Sequence, residues 1–75
     1  MGLKENFSNR FRELRLKNNL QIIELARRLN ISIRTINYYE DEKSITLPTV
    51  ERLVQLSRFF NCSTDYLLGL SDSEK

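Results

Sequence analysis

Four neighbouring residues have side chains suited to binding another molecule if they lie on a helix. They are Ile33, Arg34, Asn37 and Tyr38. A helix places these residues, together with Asp41, largely on one face, whereas Ile36 and Tyr39 fall on the other. The guanidinium of Arg34 and the carboxamide of Asn37 donate hydrogen bonds from planar groups, and Ile33 adds apolar contact. The spacing predicts an exposed recognition face on which polar and apolar groups lie side by side.

Catalytic and metal chemistry find little support in the sequence. The chain has no histidine, and its single cysteine, Cys62, has neither a second thiol for an internal disulfide nor the partners of an ordinary zinc site. No glycine-rich phosphate loop is present. We therefore expect no enzyme activity, no metal, no cofactor and no small-molecule ligand. We interpret Cys62 as a small buried hydrophobe.

Length and composition indicate one small domain. The chain has 75 residues and a net charge of +2, and a chain of this size buries about 60% of its unfolded surface. We assign residues 1–75 to a single domain, with an ordered core at about 7–70 and a short polar tail at 71–75. No apolar stretch approaches the roughly 20 residues of a membrane span, and residues 1–10 lack a signal-peptide apolar region. We expect a cytoplasmic protein.

Three helices are predicted in the first half of the chain. Apolar residues recur every three or four positions in Phe7–Asn18 and again in about Gln21–Leu29, which is the pattern of two amphipathic helices. Asn30 tolerates the left-handed conformation that follows many helix ends. Ser32 is a good N-cap for a third helix, which runs from about Ser32 to Asp41 and carries the recognition face.

Two further helices complete the predicted architecture. Pro48 suits the first turn of a fourth helix that continues to Phe60, after a loop of about six residues at Glu42–Leu47. Ser63 can cap a last short helix that runs through Leu68, with Gly69 as its stop. Five helices and no strand predict an all-α fold.

The second and third helices, joined by a short turn, form an arrangement that places side chains in the major groove of DNA. The segment LQIIELARRLNISIRTINYYE, from Leu20 to Glu40, resembles the Cro and lambda-repressor-type helix-turn-helix. The closing DYLLG, residues 65–69, matches the usual ending of that family, and the resemblance covers roughly Phe7 to Leu70. It implies a compact five-helix lambda-repressor-like domain that acts as a sequence-specific DNA-binding transcription regulator, a repressor of bacterial or phage type.

The resemblance also implies that the recognition face contacts bases. Its four members, Ile33, Arg34, Asn37 and Tyr38, match groove-facing positions of the family. Arg34 can donate two hydrogen bonds to O6 and N7 of guanine, although a solvated surface arginine is the ordinary alternative. Ile33 can contact a thymine methyl and Asn37 an adenine or a phosphate, while Tyr38 can reach a phosphate or lie on the groove wall.

Phosphate contacts are expected at the edges of this face. Ser32 and Thr35 match positions at which family members touch phosphates, and for Ser32 helix capping is an equal expectation. Gln21 lies at the start of the second helix, where free N–H groups and the helix dipole attract anions. Lys43, in the following loop, is a fourth candidate. Arg15 and Glu40 match a family pair that forms a structural ion pair between the first and third helices.

The small reach of one recognition helix predicts that the protein binds DNA as a symmetric dimer. One recognition helix covers only a few base pairs, so specificity usually requires two half-sites bound by a dimer. We expect a homodimer, at least on double-stranded DNA. The candidates for the dimer surface lie near the C-terminus and are Phe59, Tyr66, Leu67 and Leu70. For Phe59 and Leu67, a place in the core is the alternative.

A second hypothesis keeps the fold and changes the partner. The net charge is low, and Asp41 and Glu42 place negative charge just after the recognition helix, where phosphates would approach. In this hypothesis, the chain is an antitoxin-like or regulator-docking module that binds protein and has weak DNA affinity. Salt dependence separates the two hypotheses, because each neutralised phosphate contributes about 0.9 to the slope of log affinity against log salt.

Overall fold

The computed structural model describes residues 2–75, and five α-helices form its framework. The helices are α1 Leu3–Lys17, α2 Ile22–Leu29, α3 Ile33–Glu40, α4 Val50–Phe60 and α5 Thr64–Leu67. No strand occurs between residues 2 and 75. The predicted all-α architecture of five helices is confirmed. In the same range of residues, no helix has the length and apolar character needed to cross a membrane.

One hydrophobic core joins the five helices. α1 packs against α3 and α5, while α2 packs against α3 and α4 against α5. Burial of the apolar stripe of each helix is the main stabilising contribution, at about 25 cal/mol per Å² of apolar surface. The buried apolar residues are Phe7, Phe11, Leu14, Leu20, Leu25, Ala26, Leu29, Ile31, Ile36, Tyr39, Leu56, Phe60 and Leu67.

Aromatic rings form the centre of this core and connect three helices. The ring of Phe11 lies 5.7 Å from that of Tyr39 and 5.8 Å from that of Phe60, in edge-to-face geometry. Phe7 lies 5.6 Å from Tyr39 in the same arrangement. Edge-to-face contacts are favourable because the positive edge of one ring meets the negative face of the next. The cluster therefore fixes how α3 and α4 lie on α1.

Hydroxyl caps begin three of the helices. Ser32 Oγ accepts a hydrogen bond from the Thr35 N–H at 3.1 Å, and Ser63 Oγ accepts one from Tyr66 at 3.0 Å. Thr49 Oγ1 accepts from the Arg52 N–H at 3.1 Å, so α4 begins at Val50 and Pro48 lies before the cap. The expectation that Pro48 occupies the first turn is wrong, because the threonine hydroxyl supplies a partner for a free N–H that proline cannot.

Four helix ends share one closure. A residue just beyond the helix has a positive φ, and the following N–H bonds to the carbonyl five residues back, which satisfies a free carbonyl of the last turn. The positive-φ residues are Asn19, Asn30, Asn61 and Gly69. The bonds, of 2.8 to 3.1 Å, are Leu20 to Arg15, Ile31 to Ala26, Cys62 to Ser57 and Leu70 to Asp65. Among the helices of residues 2–75, α3 alone ends differently: Asp41 is extended, with φ −93° and ψ 108°.

Both ends of the chain make contacts that the apolar pattern does not predict. α1 begins at Leu3, ahead of the first core residue of the series, Phe7. The C-terminal residues lie along α1: the Lys17 ammonium is 2.8 Å from a Glu74 carboxylate oxygen, and the Ser63 N–H donates to the Glu74 carbonyl. Cys62 is half-buried against the core and not fully buried as expected. Polar contacts determine these regions, and hydrophobic periodicity does not report them.

The two glycines provide a test of the helix-end closure. Gly69 has φ +76°, and a Cβ at this position would lie 2.6 Å from the Asn6 Cβ, whereas a Cβ on Gly2 would meet nothing within 4 Å. We expect Gly69→Ala to lower the free energy of unfolding by more than about 2 kcal/mol, because a left-handed backbone and a steric clash combine. Gly2→Ala should cost at most about 1 kcal/mol as a weaker N-cap. Equal urea midpoints for the two variants would contradict this account.

Candidate nucleic-acid interface

The recognition face lies on the solvent side of α3. Ile36 and Tyr39 are buried in the core, whereas Arg34 and Asn37 are exposed. Ile33 and Tyr38 keep 46% and 44% of their surface exposed, although both are large and apolar in part. Within residues 2–75, no hydrogen bond or ion pair involves the four side chains. The structure therefore brings all four predicted residues together on one open surface.

The beginning of α3 is fixed by two hydroxyl groups. Ser32 Oγ accepts from the Thr35 N–H and donates to Thr35 Oγ1 at 2.8 Å. The Ser32 hydroxyl therefore acts as the N-cap, one of its two expected roles. The Thr35 hydroxyl can still donate outward, because a hydroxyl accepts and donates at the same time.

The turn between α2 and α3 is held from both sides. Asn30 takes the left-handed conformation, with φ 56°, and Ile31 enters the core. From α4, Gln55 Nε2 donates to the Leu29 carbonyl at 3.1 Å. Gln21 precedes α2 as its N-cap without a side-chain cap bond and is exposed. The turn is thus held by contacts from α4 and from the core, and the Gln21 side chain does not cap the first N–H groups of α2.

An ion pair joins α1 to the last residue of α3. Arg15 Nε lies 2.6 Å from Glu40 Oε2, and Arg15 Nη2 donates to Glu40 Oε1 at 3.1 Å. The side chains are only 12% and 9% exposed. Arg15 Nη1 also donates to the Leu20 carbonyl at 2.9 Å, just before α2. One guanidinium therefore connects α1, the entry to α2 and the end of α3.

Three further side chains of α1 bond to backbone carbonyls at the end of α3. We call Lys4, Ser8 and Arg12 the capping stripe; their spacing of four residues places them on one helix face. Lys4 Nζ donates to the carbonyls of Tyr38 at 2.8 Å and Asp41 at 2.7 Å. The Ser8 hydroxyl donates to the Tyr39 carbonyl at 2.6 Å, and Arg12 Nη2 donates to the Glu40 carbonyl at 2.8 Å.

Sequence reasoning did not assign the capping stripe a role. The only sequence signal was a basic or hydroxyl residue every four positions, which any solvated helix face can show. Partial burial lowers the pKa of Lys4 below its ordinary value, while the Asp41 and Glu42 carboxylates act in the opposite direction. A lysine that is desolvated next to carbonyl oxygens acts as a donor within the protein and is not a free surface charge.

The acidic residues after α3 form part of a turn. The Lys43 N–H donates to the Asp41 carboxylate at 3.0 Å, and the Ser44 N–H donates to the Asp41 carbonyl at 3.0 Å. The Lys43 side chain is exposed beside this turn. Because the Asp41 carboxylate accepts a backbone hydrogen bond, it stabilises the turn and is not simply a free negative charge.

Comparison with known proteins agrees with this geometry. A family model described as Helix-turn-helix, HTH_3, matches residues 11–67, which include all of α2, α3, α4 and α5. The chain belongs to the XRE/Cro-type helix-turn-helix family. The resemblance stated from Leu20–Glu40 and the expected lambda-repressor-like fold are thereby confirmed. α2 and α3 are the two helices of the motif.

Two curated relatives of the helix-turn-helix domain come from Bacillus subtilis (strain 168). One, named uncharacterized HTH-type transcriptional regulator YobD, is 35% identical over 66 residues, which are 88% of this chain and 57% of the relative. The other, named HTH-type transcriptional regulator ImmR, is 34% identical over 70 residues, which are 93% of this chain and 54% of the relative. The chain spans about half the length of these relatives. No solved structure gave a significant match.

The candidates for a dimer surface do not form a single exposed patch in the helix-turn-helix domain. Leu67 is fully buried, so its place among the dimer-surface candidates is wrong and the alternative, a place in the core, is correct. Phe59 packs partly against the core. Tyr66 is half-buried beneath Arg10, whose guanidinium lies 4.1 Å from the ring centre. Leu70 is 69% exposed and remains a surface candidate.

Cys62 lies outside the helix-turn-helix motif, in an open cleft. The cleft has a volume of about 330 Å³ and lies between the end of α4 and the C-terminal residue. Burial raises the pKa of the Cys62 thiol, and Glu74 adds to this effect while Lys17 opposes it. The thiol is therefore poorly suited to act as a nucleophile at neutral pH. Residues 2–75 hold no group of three or more His, Cys, Asp or Glu side chains able to bind a metal ion.

The Arg15–Glu40 pair should stabilise the domain far more than an exposed pair does. We expect Glu40→Ala to lower the free energy of unfolding by about 3 to 5 kcal/mol, because the Arg15 charge is left partly buried without its partner. Glu24→Ala is the matched control, since it removes the exposed partner of Arg28 one turn away on α2; it should cost less than about 0.5 kcal/mol. A native thermal midpoint for Glu40→Ala would show that the pair is dispensable.

Proposed function

We propose that the domain is a sequence-specific DNA-binding transcription regulator that inserts α3 into the major groove. The observation that carries the proposal is the recognition face. Four side chains able to make polar or apolar contacts in the major groove lie on one exposed surface, while the opposite face of α3 is fixed in the core. Family membership and the names of the two relatives support the same function. Exposed Ile33 and Tyr38 add apolar surface beside the polar groups, which suits contact with a thymine methyl and the groove wall.

Each member of the recognition face has a distinct role in this proposal. The Arg34 guanidinium donates two hydrogen bonds to O6 and N7 of a guanine, the pairing that best distinguishes this base in the major groove. Ile33 packs on a thymine methyl, and Asn37 pairs with an adenine or a phosphate. Tyr38 contacts a phosphate or the groove wall. Because α3 is capped at both ends, these side chains are presented by a rigid helix.

Phosphate contacts fix the register of the domain on the duplex. Ser32, Thr35 and Lys43 lie on or next to α3 and are exposed or half-exposed. Gln21 stands at the start of α2, where N–H groups that have no carbonyl partner in the helix attract a phosphate. Such contacts contribute affinity and orientation without sequence preference. We expect them to account for most of the salt dependence of binding.

We further propose that binding represses transcription by occupying DNA, within the cytoplasm, where bacterial-type DNA is found. A homodimer on two half-sites would supply the specificity that one short helix lacks. The alternative, a protein-binding module with weak DNA affinity, receives less support from the structure. Asp41, which motivated it together with Glu42 and the low net charge, accepts a backbone hydrogen bond from Lys43 and lies beside the Lys4 ammonium.

Selection from a randomised duplex pool tests the proposed function. We expect the wild-type protein to enrich two-fold-related half-sites, and Arg34→Ala to lose about 1 to 3 kcal/mol of discrimination at one base pair, roughly a five- to 150-fold effect. Arg58→Ala is the matched control, since Arg58 is exposed on α4 and lines the C-terminal cleft. It should enrich the same sequences as the wild type. No enrichment, with a slope of log affinity against log salt close to zero, would favour the protein-binding module.

Stoichiometry on a duplex with two half-sites tests the proposed dimer. We expect Leu70→Asp to reduce cooperative binding about tenfold or more, because an exposed leucine buried on association contributes about 1.5 to 3 kcal/mol. Leu16→Asp on α1 replaces a leucine of similar exposure and should leave cooperativity unchanged. Sedimentation of the complexes measures whether one or two protein chains bind each duplex. Equal cooperativity in the two variants would place the dimer surface elsewhere.

A further inference from the structure

The end of α3 poses a problem that the other four helices solve within their own backbone. A helix leaves its last carbonyls without intrahelical partners. Beyond α1, α2, α4 and α5, a left-handed residue lets a following N–H return to one of these carbonyls. α3 lacks that closure because Asp41 is extended, and the Asp41 N–H makes a single bond of 3.3 Å to the Tyr38 carbonyl. The remaining carbonyls of α3 must find donors elsewhere.

Ser8 and Arg12 supply donors to the Tyr39 and Glu40 carbonyls, and Lys4 makes more hydrogen bonds around the end of α3 than either of them. An ammonium group has three N–H bonds, and Lys4 Nζ has three acceptors at 3.0 Å or less. These are the Ser8 hydroxyl at 3.0 Å and the carbonyls of Tyr38 and Asp41. Ser8 is fully buried, and its hydroxyl in turn donates a hydrogen bond to the Tyr39 carbonyl. One side chain therefore spans the last turn of α3 and the first residue of the loop.

We infer that Lys4 is a positioning residue for DNA recognition, which sets the end of α3 and the path of residues 41–44 without touching the duplex. This inference rests on the proposed function and extends it to a residue in the first turn of α1. Its physical basis is the position of the two carbonyls that Lys4 holds. One belongs to Tyr38, a member of the recognition face, and the other belongs to Asp41, two residues before the phosphate candidate Lys43. Without the ammonium, these carbonyls are no longer tied to α1, the binding-competent geometry becomes only one of several, and apparent affinity falls in proportion to its population.

Loss of the ammonium should leave the fold intact. The contacts of Lys4 with the Tyr38 and Asp41 carbonyls are exposed, so water can replace them. The aromatic core and the Arg15–Glu40 pair lie apart from these bonds and remain in place. Lys4→Met keeps the length of an apolar stem and removes the donors. Lys4→Arg restores a charged donor and serves as the conservative variant.

Amide hydrogen exchange tests the positioning role without DNA. In Lys4→Met we expect the amides of Lys43 and Ser44, which bond to Asp41, to exchange at least about fivefold faster than in the wild type, while core amides of α4 keep their rates. Lys4→Arg should restore most of the protection. Lys17→Met is the matched control, because it removes the same charge from the other end of α1, where the partner is Glu74. Unchanged exchange at residues 41–44 overturns the inference whether or not the protein binds DNA.

Binding to the selected duplex tests the functional consequence. We expect Lys4→Met to weaken affinity about fivefold or more, with Lys4→Arg and Lys17→Met within about twofold of the wild type. The slope of log affinity against log salt should stay constant in Lys4→Met, because Lys4 does not neutralise a phosphate. A slope reduced by about 0.9 would instead make Lys4 a direct phosphate contact and overturn the inference. Global unfolding of Lys4→Met, comparable to that expected for Glu40→Ala, would also overturn it.

Discussion

Satisfaction of the carbonyl groups at the end of α3 is the constraint on which the rest of the interface depends. The chain leaves α3 in an extended conformation at Asp41, so the backbone cannot close its own last turn. Donors come instead from α1: an ammonium, a hydroxyl and a guanidinium of the capping stripe bond to four consecutive carbonyls, those of residues 38–41. The bond from Ser8 to the Tyr39 carbonyl is buried, and an unpaired buried carbonyl is costly, so the position of α3 on α1 is determined by polar contacts as well as by packing.

The ion pair and the aromatic cluster act with the capping stripe. Arg15 holds the Glu40 carboxylate at the end of α3, the Tyr39 ring packs against the aromatic rings of α1, and Ile36 is buried in the core. The inner face of α3 thus carries all of its contacts with α1. The side chains of Arg34 and Asn37 on the outer face make no hydrogen bond or ion pair within residues 2–75, so they are available for the proposed contacts with DNA.

Net charge is a poor guide to the electrostatics of this surface. A total of +2 is modest for a protein proposed to bind DNA. Several charges, however, have partners within the domain: Arg15 with Glu40, Lys17 with Glu74 and Arg28 with Glu24. The Asp41 carboxylate accepts a backbone hydrogen bond. The charges that remain for a phosphate backbone are those without such tasks, including Arg34 and Lys43, so their placement matters more than the total.

The sequence by itself determined the helices, the motif and the recognition face. Apolar residues spaced three or four apart predict the helices, and Ser32, Ser63 and Asn30 mark helix boundaries. Both signals are local, because caps and amphipathic stripes depend on neighbouring residues. The family resemblance in Leu20–Glu40 added the expected Arg15–Glu40 pair and the identity of α3 as the recognition helix. These features required no knowledge of contacts between distant residues beyond that resemblance.

Only the tertiary structure decided what the polar residues of α1 and the C-terminal residues do. Lys4 and Tyr38 are separated by 34 positions, so no periodicity connects them, and the partner of Glu74 likewise lies far away at Lys17. The burial of Leu67 was also undecided, because an apolar residue in a short helix suits a core and a partner surface equally well. Long-range hydrogen bonds and the depth of a side chain depend on how the helices pack, and local sequence patterns do not contain that information.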